Sequence, residues 1–222
     1  MIIAIDGPAG TGKGTVSKLI SQRLNYVYID TGAMYRALTL KMLREKIEMD
    51  ELEKIENLLN CTQIDLETQA NRDVQKVFLD GEDVTEEIRL PAVNERVSPY
   101  SSVKIIREKM VEWQRNLAKG KDVIMEGRDI TTVVFPDAEL KIYLTATPEE
   151  RANRRFKELK AKGIETTYEE TLESINKRDY NDMHKEVGAL KIADGAIVLD
   201  TTELSIEEVY ETIKKIIEEK RK

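Results

Sequence analysis

Gly7, Gly12 and Lys13 form the pattern G-x-x-x-x-G-K inside IAIDGPAGTGKGT, with an apolar run immediately before it and a helical pattern immediately after. Glycines accept positive φ without a Cβ clash, so the backbone can wrap an anion. The amides of such a loop and the N-terminus of the following helix then favour a phosphate chain. Lys13 adds a positive charge suited to the β- and γ-phosphates. The competing reading is a glycine-rich turn with an exposed lysine, and the strand–loop–helix context disfavours it. Gly7, Pro8, Ala9, Gly10, Thr11, Gly12, Lys13, Gly14 and Thr15 are therefore the candidate nucleotide-binding stretch. One position departs from the usual pattern. Gly14 stands where most such loops carry Ser or Thr, and Thr15 comes one residue later. The hydroxyl that ordinarily meets Mg²⁺ is thus not supplied by the motif, and no metal ligand is assigned.

His184 is the only histidine and Cys61 the only cysteine, which excludes histidine triads, multi-histidine metal sites and an intrachain disulfide. Charged side chains carry the remaining chemistry. Asp30-Thr31-Gly32 ends an apolar run and opens a helical pattern, so Thr31 suits either a phosphate or a helix N-cap, and the roles are compatible. Arg128 has a planar guanidinium able to grip a phosphate bidentately. Arg151, Arg154 and Arg155 share one helix face at i, i+3 and i+4, a pattern that by itself is a solvated charged face. Arg178 and Asp182, four apart, are by themselves an i,i+4 ion pair. Taken singly, Arg107 is a solvated helix position and Asp129 a loop salt bridge.

These residues need elements to carry them. Apolar runs at Ile2–Ile5, Tyr26–Ile29, Asp122–Met125, Leu140–Leu144 and Ala196–Leu199 are expected as buried strands. Helical spacing marks Thr15–Leu24, Met34–Leu43, Leu52–Leu59, a stretch from Ala92 to Leu117 punctuated by Pro99, Tyr168–Asp182 and Ile206–Ile217. A further helix begins at Pro148 behind a Thr147 cap, and a polar loop runs from Ala161 to Thr167. Between residues 62 and 90 the texture changes: Ile64 and Leu66, then Val77 and Leu79, alternate with polar residues. Gln69 to Asp73 makes a polar connection there, and Asp80-Gly81 is a turn dipeptide. Strands alternating with helices predict an α/β fold: a P-loop NTPase-type three-layer α/β/α sandwich on a mainly parallel sheet, with a small antiparallel insertion.

At 222 residues the chain suits one domain, and its net charge of −7 argues against broad binding of DNA or RNA. The N-terminus lacks a basic leader, and no apolar run reaches the roughly 18 residues a membrane helix needs. With one cysteine, a reducing, cytoplasmic setting is expected.

The G-K-G-T form of the loop resembles that of nucleoside monophosphate kinases of the adenylate kinase type. Further segments are similar to bacterial cytidylate kinases from Ile2 to the last helix: DTGAMYRA from Asp30, LDGEDVTEEIR from Leu79, EGRDITTVVFPDA from Glu126, ERANRR from Glu150 and VLDTTELSIEEV from Val198. The resemblance implies ATP-dependent phosphorylation of CMP and dCMP, with Mg²⁺, by a monomer. It implies an acceptor-nucleotide region over about 31–115 and a mobile lid over about 157–168. Thr31 and Tyr35, with Arg36 nearby, would contact the acceptor monophosphate, and Gly127 and Arg128 join them. Ser98, Arg107 and Asp129 would read the base. Arg178 and Asp182 would face the acceptor sugar and phosphate, and Lys185 falls where many relatives carry Arg. Lys13, Arg128, Arg154, Arg155 and Arg178 would supply charge to the transferring group. Two alternatives stay open at this level: another small acceptor on the same scaffold (AMP, shikimate or dephospho-coenzyme A), and a nucleotide-binding regulator without catalysis.

Overall fold

Short apolar strands that must be covered on both faces favour a parallel sheet with helical crossovers. The computed structural model describes residues 1–67 and 75–221. The polar connection expected at Gln69 to Asp73 lies outside the described residues. Strand β1 (Ile2–Asp6) leads through the glycine loop into α1 (Lys13–Leu24), and β2 (Val27–Asp30) runs directly into α2 (Thr31–Arg44). Next come α3 (Leu52–Asn60) and three short strands, β3 (Ile64–Glu67), β4 (Lys76–Leu79) and β5 (Glu82–Asp83). The chain continues with α4 (Pro91–Tyr100), α5 (Lys104–Ala118), β6 (Val123–Gly127) and β7 (Leu140–Thr145). It finishes with α6 (Pro148–Ala161), α7 (Tyr168–Met183), β8 (Ile197–Asp200) and α8 (Ile206–Lys220).

The main sheet has the order β2-β6-β1-β7-β8, with every pairing parallel. Alternation along its strands builds two cores. Ile3, Ile5, Tyr28, Ile124, Ile142 and Leu144 pack with Val16 and Ile20 of α1 and Ile213 of α8. Ala4, Ile29, Val123 and Met125 point to the opposite face, against Met34 and Leu38 of α2 and Ile106 and Met110 of α5. The fold is therefore the expected α/β sandwich, in three layers. The second sheet, β3-β4-β5, is antiparallel and joins the α2 core through Ile64, Val77 and Leu79. Its β4–β5 turn is Asp80-Gly81, both at positive φ (51° and 86°), as a tight hairpin requires.

Two local features differ from the sequence-based expectation. Helix α2 is capped by Asp30, whose carboxylate accepts from the Ala33 amide at 2.8 Å. Thr31 lies inside the helix, and its hydroxyl donates to the Glu126 carbonyl at 2.7 Å instead of serving as the cap. A π-helical turn at Ile130–Val134 was unforeseen. The reason is Asp6, at the end of β1, which accepts from the amides of Ile130 (2.9 Å) and Thr131 (2.7 Å) and from the Thr131 hydroxyl (2.5 Å). This partnership spans more than a hundred residues, and local periodicity carries no trace of it. Among the described residues, no helix is long and apolar enough to cross a membrane.

Candidate active site

The carboxyl ends of β1, β2, β6 and β7 deliver the loop and its neighbours to one edge of the sheet, the place where open α/β sheets bind ligands. The loop turns tightly over β7: at Gly7 (φ +148°) a Cβ would lie 2.0 Å from the Leu144 carbonyl oxygen, so only glycine fits. Lys13 opens α1 and folds back over the loop, its Nζ donating to the Pro8 carbonyl at 2.7 Å. Burial, followed by the charge of Arg128, pushes its pKa down to about 7, against the opposing pull of Glu126 and Asp6.

Glu126 explains the unusual Gly14. A Cβ at position 14 would stand 2.8 Å from Glu126 Oε1, so the carboxylate occupies the space that a Ser or Thr side chain would need. Tyr28 donates its hydroxyl to the same oxygen at 2.9 Å. Burial and then the neighbouring Asp30 raise the Glu126 pKa, with Lys13 pulling the other way.

Beyond the loop lies a cluster of cations. Arg128 Nε donates to Asp182 at 2.9 Å, Lys185 Nζ lies 3.3 Å from that carboxylate, and Arg178 Nε lies 3.9 Å away. Burial works against ionisation of Asp182, but Arg128, Lys185 and Arg178 outweigh it and hold the carboxyl below its ordinary range. Three cations around one carboxylate leave surplus positive charge, which suits an anion. Arg36 pairs with Asp30 at 3.3 Å, and its buried Nε has no hydrogen-bond partner. Gly127 ends β6, and its carbonyl accepts from Arg128 at 3.3 Å.

Arg107 and Asp129 form a buried ion pair, far from the solvated positions each would occupy alone. Burial lifts Asp129 to a pKa of about 6, and Arg107 opposes that rise. The Arg107 guanidinium lies 6.0 Å from the Tyr35 ring centroid, donates to the Ser101 carbonyl at 3.3 Å, and leaves its buried Nε unpartnered. Ser98 joins this group through Ser101, whose hydroxyl donates to the Ser98 carbonyl at 2.8 Å and accepts from Lys185 at 3.0 Å.

The α6 arginines go three separate ways. Arg151 is buried against the loop and α7. Arg154 pairs with Glu150 at 2.9 Å and donates to the carbonyls of Thr201 (2.6 Å) and Thr202 (3.3 Å). Arg155 is bonded to the exposed Glu158 at 2.7 Å, and its charge still reaches Arg178 of α7. Thr201, overlooked in the sequence, donates to the Thr11 carbonyl at 3.2 Å and braces the loop from the tail. A cavity of about 600 Å³ opens there, lined by Thr11, Gly12, Thr15, Arg154, Thr201 and Ser205 among others. Gln75 was also missed. Its buried amide donates to the Tyr28 carbonyl at 2.7 Å, tying the small sheet to the edge of β2.

A phosphate loop at the sheet's carboxyl edge, faced by a second cationic cluster, defines a P-loop kinase of small substrates. Sequence comparison narrows the class. The profile of the cytidylate kinase family matches residues 3–219. The chain is 55% identical over 214 residues to the cytidylate kinase of Caldicellulosiruptor saccharolyticus, covering 96% of this chain and 94% of that one. It is 52% identical over 217 residues to that of Caldanaerobacter subterraneus, with the same coverage of each. The chain belongs to the cytidylate kinase family. A solved structure of an uncharacterized protein from Eubacterium ventriosum shares the fold, with a TM-score of 0.52 at 14% identity over 98% of both chains.

Proposed function

We infer that this cytidylate kinase moves the γ-phosphoryl group of ATP, delivered as its Mg²⁺ complex, to a phosphate oxygen of CMP or dCMP. The observation that carries the reading is the placement of two cationic groups side by side. The loop to Lys13 leaves β1 at Asp6, and Arg128 leaves β6 at Gly127, the residue paired with Asp6. Arg128 and Arg178 share Asp182. One group suits a donor triphosphate and the other an acceptor monophosphate. The acceptor oxygen is ionised at neutral pH, so no strong general base is needed, and catalysis rests on alignment and charge neutralisation. Lys13 and the loop amides hold the donor. Arg36, Arg128 and Arg178 hold the acceptor phosphate, with Thr31 at the start of α2. The donor's nucleoside fits the cavity beside Thr11, Thr201 and Ser205, which gives Arg154 a binding role at that end.

No group of three His, Cys, Asp or Glu fit to hold a metal occurs among the described residues. That suits a Mg²⁺ carried in on the phosphates, which keeps most of its waters and needs few protein ligands. Glu126, beside Gly14, is a carboxylate that would face that complex. A bound Mg²⁺ would supply charge neutralisation on the transferring phosphates.

Cytosine presents an amino donor at N4 and acceptors at N3 and O2. Asp129 accepts from the amino group and Arg107 donates to the acceptors, with Ser98 and Ser101 at the rim. Uracil reverses the pattern at both positions. Adenine, in AMP and dephospho-coenzyme A, shares the amino donor and ring acceptor but carries C2–H where cytosine has the O2 acceptor, and is a larger, two-ring base. Shikimate has no such edge, and a regulator without catalysis has no use for a second phosphate site. The reading is of a cytoplasmic monomer acting on small nucleotides. Closure of the 157–168 lid and movement of the β3–β5 strands of the insertion keep water from the γ-phosphate. Hydrogen exchange in both regions should slow with a bisubstrate analogue, and unchanged exchange would remove closure from the mechanism. The main test is ADP release with CMP, dCMP, UMP, AMP and GMP in turn. Turnover with the two cytosine nucleotides well above UMP is the expected result, and activity centred on AMP or UMP refutes the base-reading assignment.

A further inference from the structure

Arg151 does not stand where an arm reaching for phosphate would be. Its guanidinium is spent inside the protein. Nε donates to the Ala146 carbonyl at 3.0 Å, Nη1 to the Ala9 carbonyl at 3.1 Å, and Nη2 to Asp179 Oδ2 at 2.6 Å. Ala9 belongs to the phosphate loop and Asp179 to α7. The loop also rests on the Arg151 backbone: a Cβ at Gly10 would lie 3.0 Å from Arg151 Cβ and 3.3 Å from its carbonyl oxygen. Asp179 follows Arg178 directly and precedes Asp182 by three residues, almost one helical turn. Asp179 Oδ1 is buried without a hydrogen-bond partner, so Arg151 is what holds this carboxylate.

We propose that the Arg151–Asp179 ion pair is a positioning device that keeps the phosphate loop and the acceptor-side face of α7 in one register, so that donor and acceptor phosphates meet in line. The proposal rests on the donor and acceptor assignments made above. Arg151 touches neither nucleotide and acts through Ala9 and Asp179. A planar guanidinium with fixed donor directions holds three acceptors at set separations, which a flexible ammonium does not. In-line transfer is sensitive to such spacing: a displacement of about 1 Å costs on the order of a hundredfold in rate. Binding either nucleotide alone uses only one side of the pair. The signature is therefore a fall in kcat with the separate affinities nearly intact.

The test compares full-length Asp179→Asn, Arg151→Lys and Arg178→Ala enzymes. It measures kcat, both KM values, the Kd of a non-hydrolysable ATP analogue alone, the Kd of CMP with and without that analogue, and urea unfolding. Asp179→Asn should lower kcat about 10- to 100-fold while each separate Kd moves less than about threefold. The effect of the ATP analogue on CMP affinity should fall towards none, because the register that links the two sites is gone. Arg151→Lys keeps the charge, loses the fork and should fall between. If folded Asp179→Asn and Arg151→Lys enzymes keep kcat within about twofold, or the whole loss sits in one KM, the positioning role is overturned. Should Asp179→Asn fail to fold, Arg151→Lys decides by the same criteria. Arg178→Ala separates the two levels. Unchanged CMP kinetics there removes the acceptor-site assignment, whereas a loss there beside normal Asp179→Asn and Arg151→Lys enzymes removes only the register device.

Discussion

Replacing Asp129 with asparagine isolates base recognition from everything else the site does. The carboxylate is buried and faces Arg107 in a buried ion pair. Asparagine keeps the shape and removes the charge, and its amide can present a donor where the carboxylate only accepts. Two costs follow, and they separate experimentally. Breaking one side of a buried ion pair costs about 3–5 kcal/mol of stability, which acts equally whichever nucleotide is offered. Loss of base complementarity acts on CMP alone. An unpaired buried polar group costs about 1–3 kcal/mol, equivalent to roughly 5- to 150-fold in kcat/KM. The CMP-to-UMP ratio of kcat/KM should therefore fall by that factor in Asp129→Asn, with any general misplacement cancelling in the ratio. The assay is coupled ADP release with each monophosphate at several concentrations, on protein whose folded fraction is set by a urea curve. A ratio unchanged in a folded variant would refute base reading by Asp129. The same group sets a pH signature. Burial raises Asp129 to about 6, so its acceptor character is complete above that value and is lost as pH falls through it. Wild-type selectivity for CMP over UMP should decline in that range, whereas Asp129→Asn should show no such step.

Lys13 offers a proton-linked readout of donor binding. Burial, then Arg128, lowers its pKa to about 7, while the unfolded chain keeps the ordinary 10.5, so this group makes folding more favourable as pH rises from 7 towards 10.5. A triphosphate restores the charged form, so ATP binding at pH 8 should take up roughly one proton per site, measured calorimetrically in buffers of different ionisation enthalpy. Uptake that persists in Lys13→Met would assign the proton elsewhere. Gly14→Ala should lower stability by about 0.5–1.5 kcal/mol, because its Cβ would stand 2.8 Å from Glu126 Oε1 and move that flexible carboxylate away from the Tyr28 hydroxyl. Adding Glu126→Ala should recover that loss in urea unfolding without restoring turnover, and a Gly14→Ala enzyme as stable as wild type would contradict the steric account.

The phosphate loop was legible in IAIDGPAGTGKGT because its chemistry is local: glycines, a lysine and a helix start lie within one turn of each other. Strands and helices followed for the same reason, since periodicity needs only neighbours along the chain. The small antiparallel sheet was also readable from alternation and the Asp80-Gly81 turn. The residues proposed to read the base and hold the acceptor phosphate were reached through segments shared with a family, and spacing alone would have left Arg107 and Asp129 as surface charges.

What only the tertiary structure decided involves partners far apart in sequence. Asp6 organises the turn at Ile130–Val134 from across the sheet. Glu126 lies against Gly14, although β6 begins more than a hundred residues later. Arg151, Arg154 and Arg155 share one helical face by spacing, yet one braces the loop, one the tail and one pairs with Glu158 beside Arg178. Helical periodicity sets the direction in which a side chain leaves its helix. What a guanidinium meets at the end of that direction depends on the strands and loops packed there, and those come from the rest of the chain.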